Sequence, residues 1–533
     1  MESFREKYGQ EPQLVDRLSG DMKTWKTFNI IYPVGGGVFI HITNIVLSET
    51  GYPRYIIIEP PRPPTRLLKA IEEVLALKIK PEHIAESAEK QKEILLELLE
   101  EILKPVDKPV DYNNIRARNT SITVYKEDVD YIKYHLIRDK VGVGILEPFL
   151  RDPYLEDISC KGLGNIYVVH KIFGALESNV GFKSEEELDD FIIKLGEKIG
   201  KPISRARPIV DATLPDGSRI NIVYGSDVSL FGSNFTIRRV AKIPISVTQL
   251  IKWGTFNEYA AAYMWIMLSE GMSAFICGET ASGKTTTLNA LAVFIRPNAK
   301  IVSIEDTAEV VLPHPNWVRE LTRDTGKPES SVTMFDLLKA ALRQRPNYII
   351  VGEIRGAEGN IAFQAMQTGH PVLSTFHAAN LERLLQRITN PPINVPKTNL
   401  DNLNIAWFQS SVYSKTGLLV RRMIATYEIV GYDPRSDSIV AIPVFTWDPA
   451  TDTHRFAGRG ASYLLEEKIA VMRGIPRRDI KLIYEELDLR ARFLRELVAN
   501  NVLNYYDVYK AVIKTYELGL EEAYKRLIRG DLL

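Results

Sequence analysis

The chain has 533 residues. A single hydrophobic core stops growing near about 250 to 300 residues, so the chain must be divided, and roughly 100 to 200 residues per domain predicts three or four parts. Hydrophobic residues make up 45% and charged residues 25%, which excludes a disordered or fibrous chain, and the equal counts of 67 basic and 67 acidic residues argue against a protein whose main task is coating nucleic acid or anionic lipid.

The two cysteines, Cys160 and Cys277, supply neither a disulfide framework nor a C-x-x-C zinc pair, which fits a reducing compartment. The stretch Met1 to Gln10 carries Glu2, Arg5, Glu6 and Lys7 with no apolar run behind it, so it does not read as a signal peptide. Nor is there a run of about 18 apolar residues. Work at a membrane would have to pass through a partner or a surface patch.

In chain order, short strands are expected first, at Val38 to His41 and Tyr55 to Glu59, around the triplet Gly35, Gly36 and Gly37. After the prolines at 60, 61, 63 and 64, the apolar residues Ile84, Ala88, Leu95, Leu98, Leu99 and Ile102 fall on one helical face that Pro105 ends. From Val124 to Val240 the pattern is mixed: helices at Glu127 to Asp139 and Ser184 to Ile199, and strands at Ile166 to His170 and Ile220 to Val223. Past a linker at Ala241 to Ser246, short apolar strands alternate with helices. These strands, Ser273 to Cys277, Lys300 to Ile304, Tyr348 to Val351 and Val372 to Phe376, predict a parallel sheet covered on both faces. Beyond Ser462 the chain reads as helical.

Between the first of these strands and the helix after it lies Gly278-Glu279-Thr280-Ala281-Ser282-Gly283-Lys284-Thr285, followed by Thr286. This spacing is that of a phosphate-binding loop. Backbone N–H groups and the helix N-terminus surround a triphosphate, Lys284 reaches the β and γ phosphates, and the Thr285 hydroxyl can ligate Mg²⁺. Such a site needs a second acidic element at the end of another buried strand, and Glu353 after Tyr348 to Val351 supplies it. The strand Lys300 to Ile304 leads into Glu305 and Asp306, with Glu309 further on, so Glu305 and Glu353 are both candidates to orient the attacking water. His370 and His377 bracket the fourth strand. They are too far apart to chelate one metal by local spacing. His377 is placed to sense the γ-phosphate, and His370 reads as a turn residue.

Four segments in order, GETASGKTT at Gly278 to Thr286, SIEDTAE at Ser303 to Glu309, VGEIRGAE at Val351 to Glu358 and TGHPVLSTFHAAN at Thr368 to Asn380, resemble the Walker A, Asp box, Walker B and His box of the secretion ATPase superfamily. That superfamily includes type II and type IV secretion ATPases and the motors of type IV pili. Upstream, Leu155 to Cys160, Pro208 to Ile220 and Phe235 to Arg239 resemble the N-terminal half of its two-domain core. Within the superfamily the likeness is to the archaeal branch and most of all to archaellum motor ATPases. No tetracysteine module follows the core, which disfavours the type II secretion branch.

The resemblance implies an α/β fold: a RecA-like P-loop NTPase domain preceded by a mixed α+β N-domain, with an extra N-terminal module and a helical C-terminal tail. The corresponding divisions are 1–115, 116–243, 244–455 and 456–533. It further implies ATP and Mg²⁺ as cofactors, with Thr285 and Glu353 at the metal, and a homo-hexameric ring in which each nucleotide lies between N-domain and RecA-like domain. Arg219 and Arg238 match the positions of arginines that reach the nucleotide, with Arg239 and Arg207 as further candidates. The implied partners are a polytopic membrane platform protein and accessory proteins of a filament machine, with no nucleic acid and only indirect membrane contact from the cytoplasmic side. Where many P-loop ATPases carry a Walker B aspartate this chain has Gly352, near Asn347. Archaellum motor and archaeal pilus-assembly ATPase stay open as alternatives, as do, more remotely, a DNA translocase and a nucleotide-gated scaffold without turnover.

Overall fold

The structure is a computed structural model and describes residues 11–80, 87–114, 121–240, 243–323, 329–414, 417 and 419–533. The expected features at Met1 to Gln10, Ile84 and Ala241 lie outside the described residues. The chain divides into two compact units, Met1–Ala241 and Lys242–Leu533.

In the first unit, strands β1 (Gln13–Leu14), β2 (Asn29–Gly35), β3 (Val38–Thr43) and β4 (Arg54–Ile58) come first. A two-stranded sheet of β5 (Leu103–Val106) and β6 (Ile122–Tyr125) interrupts them. The chain then returns as β7 (Leu155–Cys160), β8 (Gly164–His170), β9 (Gly174–Phe182), β10 (Ile209–Thr213), β11 (Arg219–Val223) and β12 (Asn234–Arg238). The main sheet has ten strands in the order β1-β2-β3-β4-β9-β8-β7-β12-β11-β10. The join is the parallel pair β4 and β9, through Arg54 opposite Glu177 and Tyr55 opposite Ser178.

That join revises the separate module expected at 1–115. Residues from Leu18 to Ile57 share one buried core with Leu146 to Ile237, because a strand edge left at β4 would expose unpaired amide and carbonyl groups. A buried polar network reinforces it. The Tyr32 and Tyr55 hydroxyls donate to Asp152 Oδ2 at 2.6 and 2.8 Å, and Arg239 Nη1 donates to the Phe149 carbonyl at 2.8 Å. The segment with a core of its own is the intervening one, where the helices Thr65–Lys78, Ala88–Ile102 and Val129–Leu136 pack on β5 and β6.

The second unit holds β13 (Ala274–Gly278), β14 (Ile301–Glu305), β15 (Trp317–Leu321), β16 (Tyr348–Ile354), β17 (Val372–Phe376), β18 (Ile405–Tyr413), β19 (Leu419–Asp433), β20 (Ser438–Asp448) and β21 (Thr453–Phe456). They form one nine-stranded sheet in the order β15-β14-β16-β17-β13-β18-β19-β20-β21. The strands from β15 to β18 run parallel, and β18 to β21 continue the sheet antiparallel. The four strands expected from sequence are all present, and the antiparallel extension is additional.

Both faces of the parallel part are buried, as continuous apolar strands require. Ala274, Ile276 and Ile350 face one core, while Phe275, Cys277, Ile349 and Val351 face the other. The C-terminal helices Lys481–Ala499, Tyr505–Leu518 and Leu520–Arg529 belong to the first of these cores. Trp265 stacks on Phe294 at 5.0 Å and meets Phe493 edge-on at 5.8 Å. Glu428, fully buried, accepts from the Tyr263 and Ser462 hydroxyls, both at 2.6 Å, and from Leu464 N at 3.1 Å. The tail expected as a small bundle at 456–533 is therefore packed against the same core as the sheet. Among the described residues no helix is long and apolar enough to cross a membrane.

Candidate nucleotide site

The phosphate-binding loop spans from the buried end of β13 to the helix Lys284–Ala292. Gly283 caps that helix at φ 89° and Ala281 sits at φ 63°. The loop coils tightly: Ser282 Oγ donates to the Glu279 carbonyl at 2.8 Å, and Lys284 Nζ donates to the same carbonyl at 2.9 Å. Two loop glycines are required by their neighbours. A Cβ at Gly278 would lie 2.4 Å from both the Gln409 carbonyl and Ser282 Oγ, and one at Gly283 would lie 2.9 Å from Gln409 Nε2.

Gln409, on the parallel neighbour β18, braces the loop from below. It is 3% exposed, its Nε2 donates to the Ser282 carbonyl at 2.6 Å, and its Oε1 accepts from Thr287 Oγ1 at 2.7 Å. Ser411 Oγ and Arg421 Nε both donate to the Ala281 carbonyl, at 3.1 and 3.0 Å.

Glu353 lies two residues past the buried run Tyr348 to Val351 on β16 and is half-buried. Its carboxylate pairs with Arg355 Nη2 at 2.5 Å. Burial lowers the Lys284 ammonium below its ordinary range, and the charge of Glu353 is the largest influence raising it again. The strand bulges between Val351 and Glu353.

Glu305 sits differently from its expected role. It is 1% exposed; Oε1 accepts from the amides of Glu309 and Val310, both at 2.7 Å, and Oε2 faces Arg319 Nε at 3.4 Å. Burial raises its carboxyl above the usual range, with those two amides and Arg319 opposing. Its side chain thus closes the turn that carries Asp306 and Glu309. It also accounts for Gly352, where a Cβ would lie 3.1 Å from Glu305 Cγ.

His377 Nε2 lies 3.3 Å from Thr280 Oγ1, which joins the end of β17 to the phosphate loop. His370 Nδ1 meets Thr368 Oγ1 at 3.1 Å within its turn. In the first unit, Arg219 and Arg238 are cross-strand partners on β11 and β12. Arg207 is exposed. Arg239 is committed to the backbone of Phe149 and to Asp216, 3.6 Å away.

Residues 139–402 match the family "Type II/IV secretion system protein". The chain is 50% identical to "Uncharacterized protein MJ0900" of Methanocaldococcus jannaschii over 98% of its own length and 95% of that protein's. It is 30% identical to a putative conjugal transfer protein of Mycobacterium tuberculosis, over 45% of this chain and 70% of that one. It is also 29% identical to Protein VirB11 of Agrobacterium fabrum, over 44% and 76% respectively. The chain belongs to the type II/IV secretion ATPase superfamily.

In this member of the superfamily the loop fits a nucleoside triphosphate, since its glycines leave the backbone accessible and a lysine follows at the helix N-terminus. The donor set also fits Mg²⁺, a hard cation that is usually bound through one or two carboxylates, substrate phosphates and retained waters. Thr285 and Glu353 offer a hydroxyl and a carboxylate. Among the described residues no group of three or more His, Cys, Asp or Glu could hold a metal, so the nucleotide and water would complete the shell. Sequence reasoning missed Gln409, Ser411 and Arg421. They lie more than a hundred residues after the loop on a strand pair with no motif, and only the pairing of β13 with β18 brings them there.

Proposed function

We propose that the protein is an ATP hydrolase whose homo-hexameric ring powers assembly or rotation of an archaeal type IV pilus-like filament, an archaellum, acting from the cytoplasmic face through a membrane platform protein. The observation that carries the enzymatic part is the placing of the phosphate loop at the end of β13 and of Glu353 near the end of β16, two parallel strands separated only by β17, so that the charge of Glu353 acts on Lys284. Loop amides and Lys284 hold the phosphates. Glu353 orients the attacking water, supported by its half-exposed position with one oxygen on Arg355, where Glu305 is buried with both oxygens engaged. Mg²⁺, when bound by Thr285 and Glu353, supplies charge neutralisation at the phosphates. His377 reports the γ-phosphate to the loop through Thr280. In the ring, Arg219 and Arg238 supply positive charge to the developing transition state.

The filament role rests on the likeness of the sequence motifs to the archaeal branch of the superfamily. Deleting the gene in an archaeon that makes both archaella and pili tests it. Loss of archaella with pili retained is the expected outcome, and the reverse would reassign the protein to pilus assembly.

A further inference from the structure

Beside the nucleotide site, the second unit has a cleft of about 230 Å³ lined by Arg355, Gln386, Arg387, Asn390 and neighbouring prolines. No acidic side chain lines it. The two guanidinium groups reach the nucleotide site by separate routes. Arg355 holds Glu353 at 2.5 Å. Arg387 Nη1 donates to the His377 carbonyl, and its guanidinium lies over the Phe376 ring, 5.2 Å from the centroid. Each guanidinium has five N–H donors and spends only part of them on these contacts. Two guanidinium groups facing one small concavity whose own lining carries no carboxylate make an anion site, with Glu353 held on the far side of Arg355, and arginine's planar fork suits a tetrahedral oxyanion. The volume lies below the roughly 300 to 1,000 Å³ of ordinary ligand pockets, which suits a small ion rather than a nucleotide.

We propose that this cleft binds inorganic phosphate, as a station for the product after it leaves the γ position. The choice of phosphate among small anions rests on the hydrolase reading above. Phosphate held there draws on Arg355, which otherwise neutralises Glu353, and on Arg387, which anchors the backbone of His377. Occupancy is thereby communicated to Thr280 and the loop before the phosphate departs.

Equilibrium dialysis of the full chain against labelled phosphate, without nucleotide, tests the site independently of turnover. About two phosphates per chain are expected, one at the loop and one in the cleft. Lys284→Ala should weaken the first and leave the second. Arg387→Ala should weaken the second about tenfold or more with ADP affinity unchanged. Asn390→Asp, which keeps Arg387 on His377 and only adds a negative charge, should do the same and guards against a folding defect. A single phosphate per chain, or a second one indifferent to both cleft variants, overturns the site. Phosphate binding in the cleft of a protein without ATPase activity would instead overturn the hydrolase reading while leaving the site standing.

Discussion

Arg219 on β11 stands directly opposite Arg238 on β12, and Asp157 on β7 is the next residue in the same row. The alternate residues Ile220, Ile222, Phe235 and Ile237 are buried in the core, so this row lies on the sheet's other, polar face. Arg238 also faces the charge of Asp157. Two guanidinium groups side by side on one face suit an external anion. Replacing Arg219 or Arg238 with Ala should lower ATP turnover about 10³-fold or more. In rings mixed with wild-type subunits, either variant should lower activity more than in proportion to its share. Strictly proportional loss would count against shared sites.

The two carboxylates should separate by phenotype. Glu353→Gln keeps a similar shape and should retain ATP binding while losing turnover about 10² to 10⁴-fold. Glu305→Ala removes the acceptor of the Glu309 and Val310 amides and should cost about 1 to 3 kcal/mol of stability in the second unit. Chemical denaturation read beside steady-state kinetics distinguishes them. Gly352→Asp, which would install the aspartate many P-loop enzymes carry, should be destabilising because its Cβ would crowd Glu305 Cγ at 3.1 Å.

Gln409 is expected to act through the loop rather than on the nucleotide. Gln409→Ala removes both hydrogen bonds and leaves Thr287 and the Ser282 carbonyl buried without their partner, a cost of about 1 to 3 kcal/mol per group. Its KM for ATP should rise more than its kcat falls, since a loosened loop binds ground and transition states alike less well. An unchanged KM would mean that the loop holds its shape unaided.

Acid should weaken the first unit through its buried histidines. Burial lowers His41 to about 4 and His170 to about 3, and His170 Nδ1 accepts from the amides of Ile172 and Phe173 at 3.1 and 3.2 Å, which a proton there would break. Both folded values lie below the usual 6.5, so the full contribution is present above about pH 6.5 and is lost as pH falls toward 4 and 3. The slope is up to about 1.4 kcal/mol per pH unit for each histidine. Asp152, raised by burial, runs the opposite way in acid. Thermal melts of wild type and His170→Gln between pH 7.5 and 4.5 isolate the histidine, and the wild-type loss on acidification should be the steeper of the two.

The engine was legible in the sequence because its strands are continuous apolar runs and its chemistry sits at their ends. Tyr348 to Val351 reads as a buried strand leading to Glu353, and in the structure the strand runs on to Ile354 with Glu353 as its penultimate residue. The joining of β4 to β9 was not legible. A pairing of residues 54 and 177 leaves no local mark, and the helical insertion between them suggested a boundary. Gln409 was hidden for the same reason. Glu305 misleads because a strand-end carboxylate looks the same in sequence whether it faces water or closes its own turn.

ATP hydrolysis at this site is tested most directly by phosphate release from Mg-ATP by the purified full chain, its Lys284→Ala variant and its Glu353→Gln variant at equal concentration. Steady turnover by the wild type, abolished in both variants while Glu353→Gln still binds ATP, is the result expected. Wild-type turnover in either variant, or none in the wild type assembled as a ring, would contradict it.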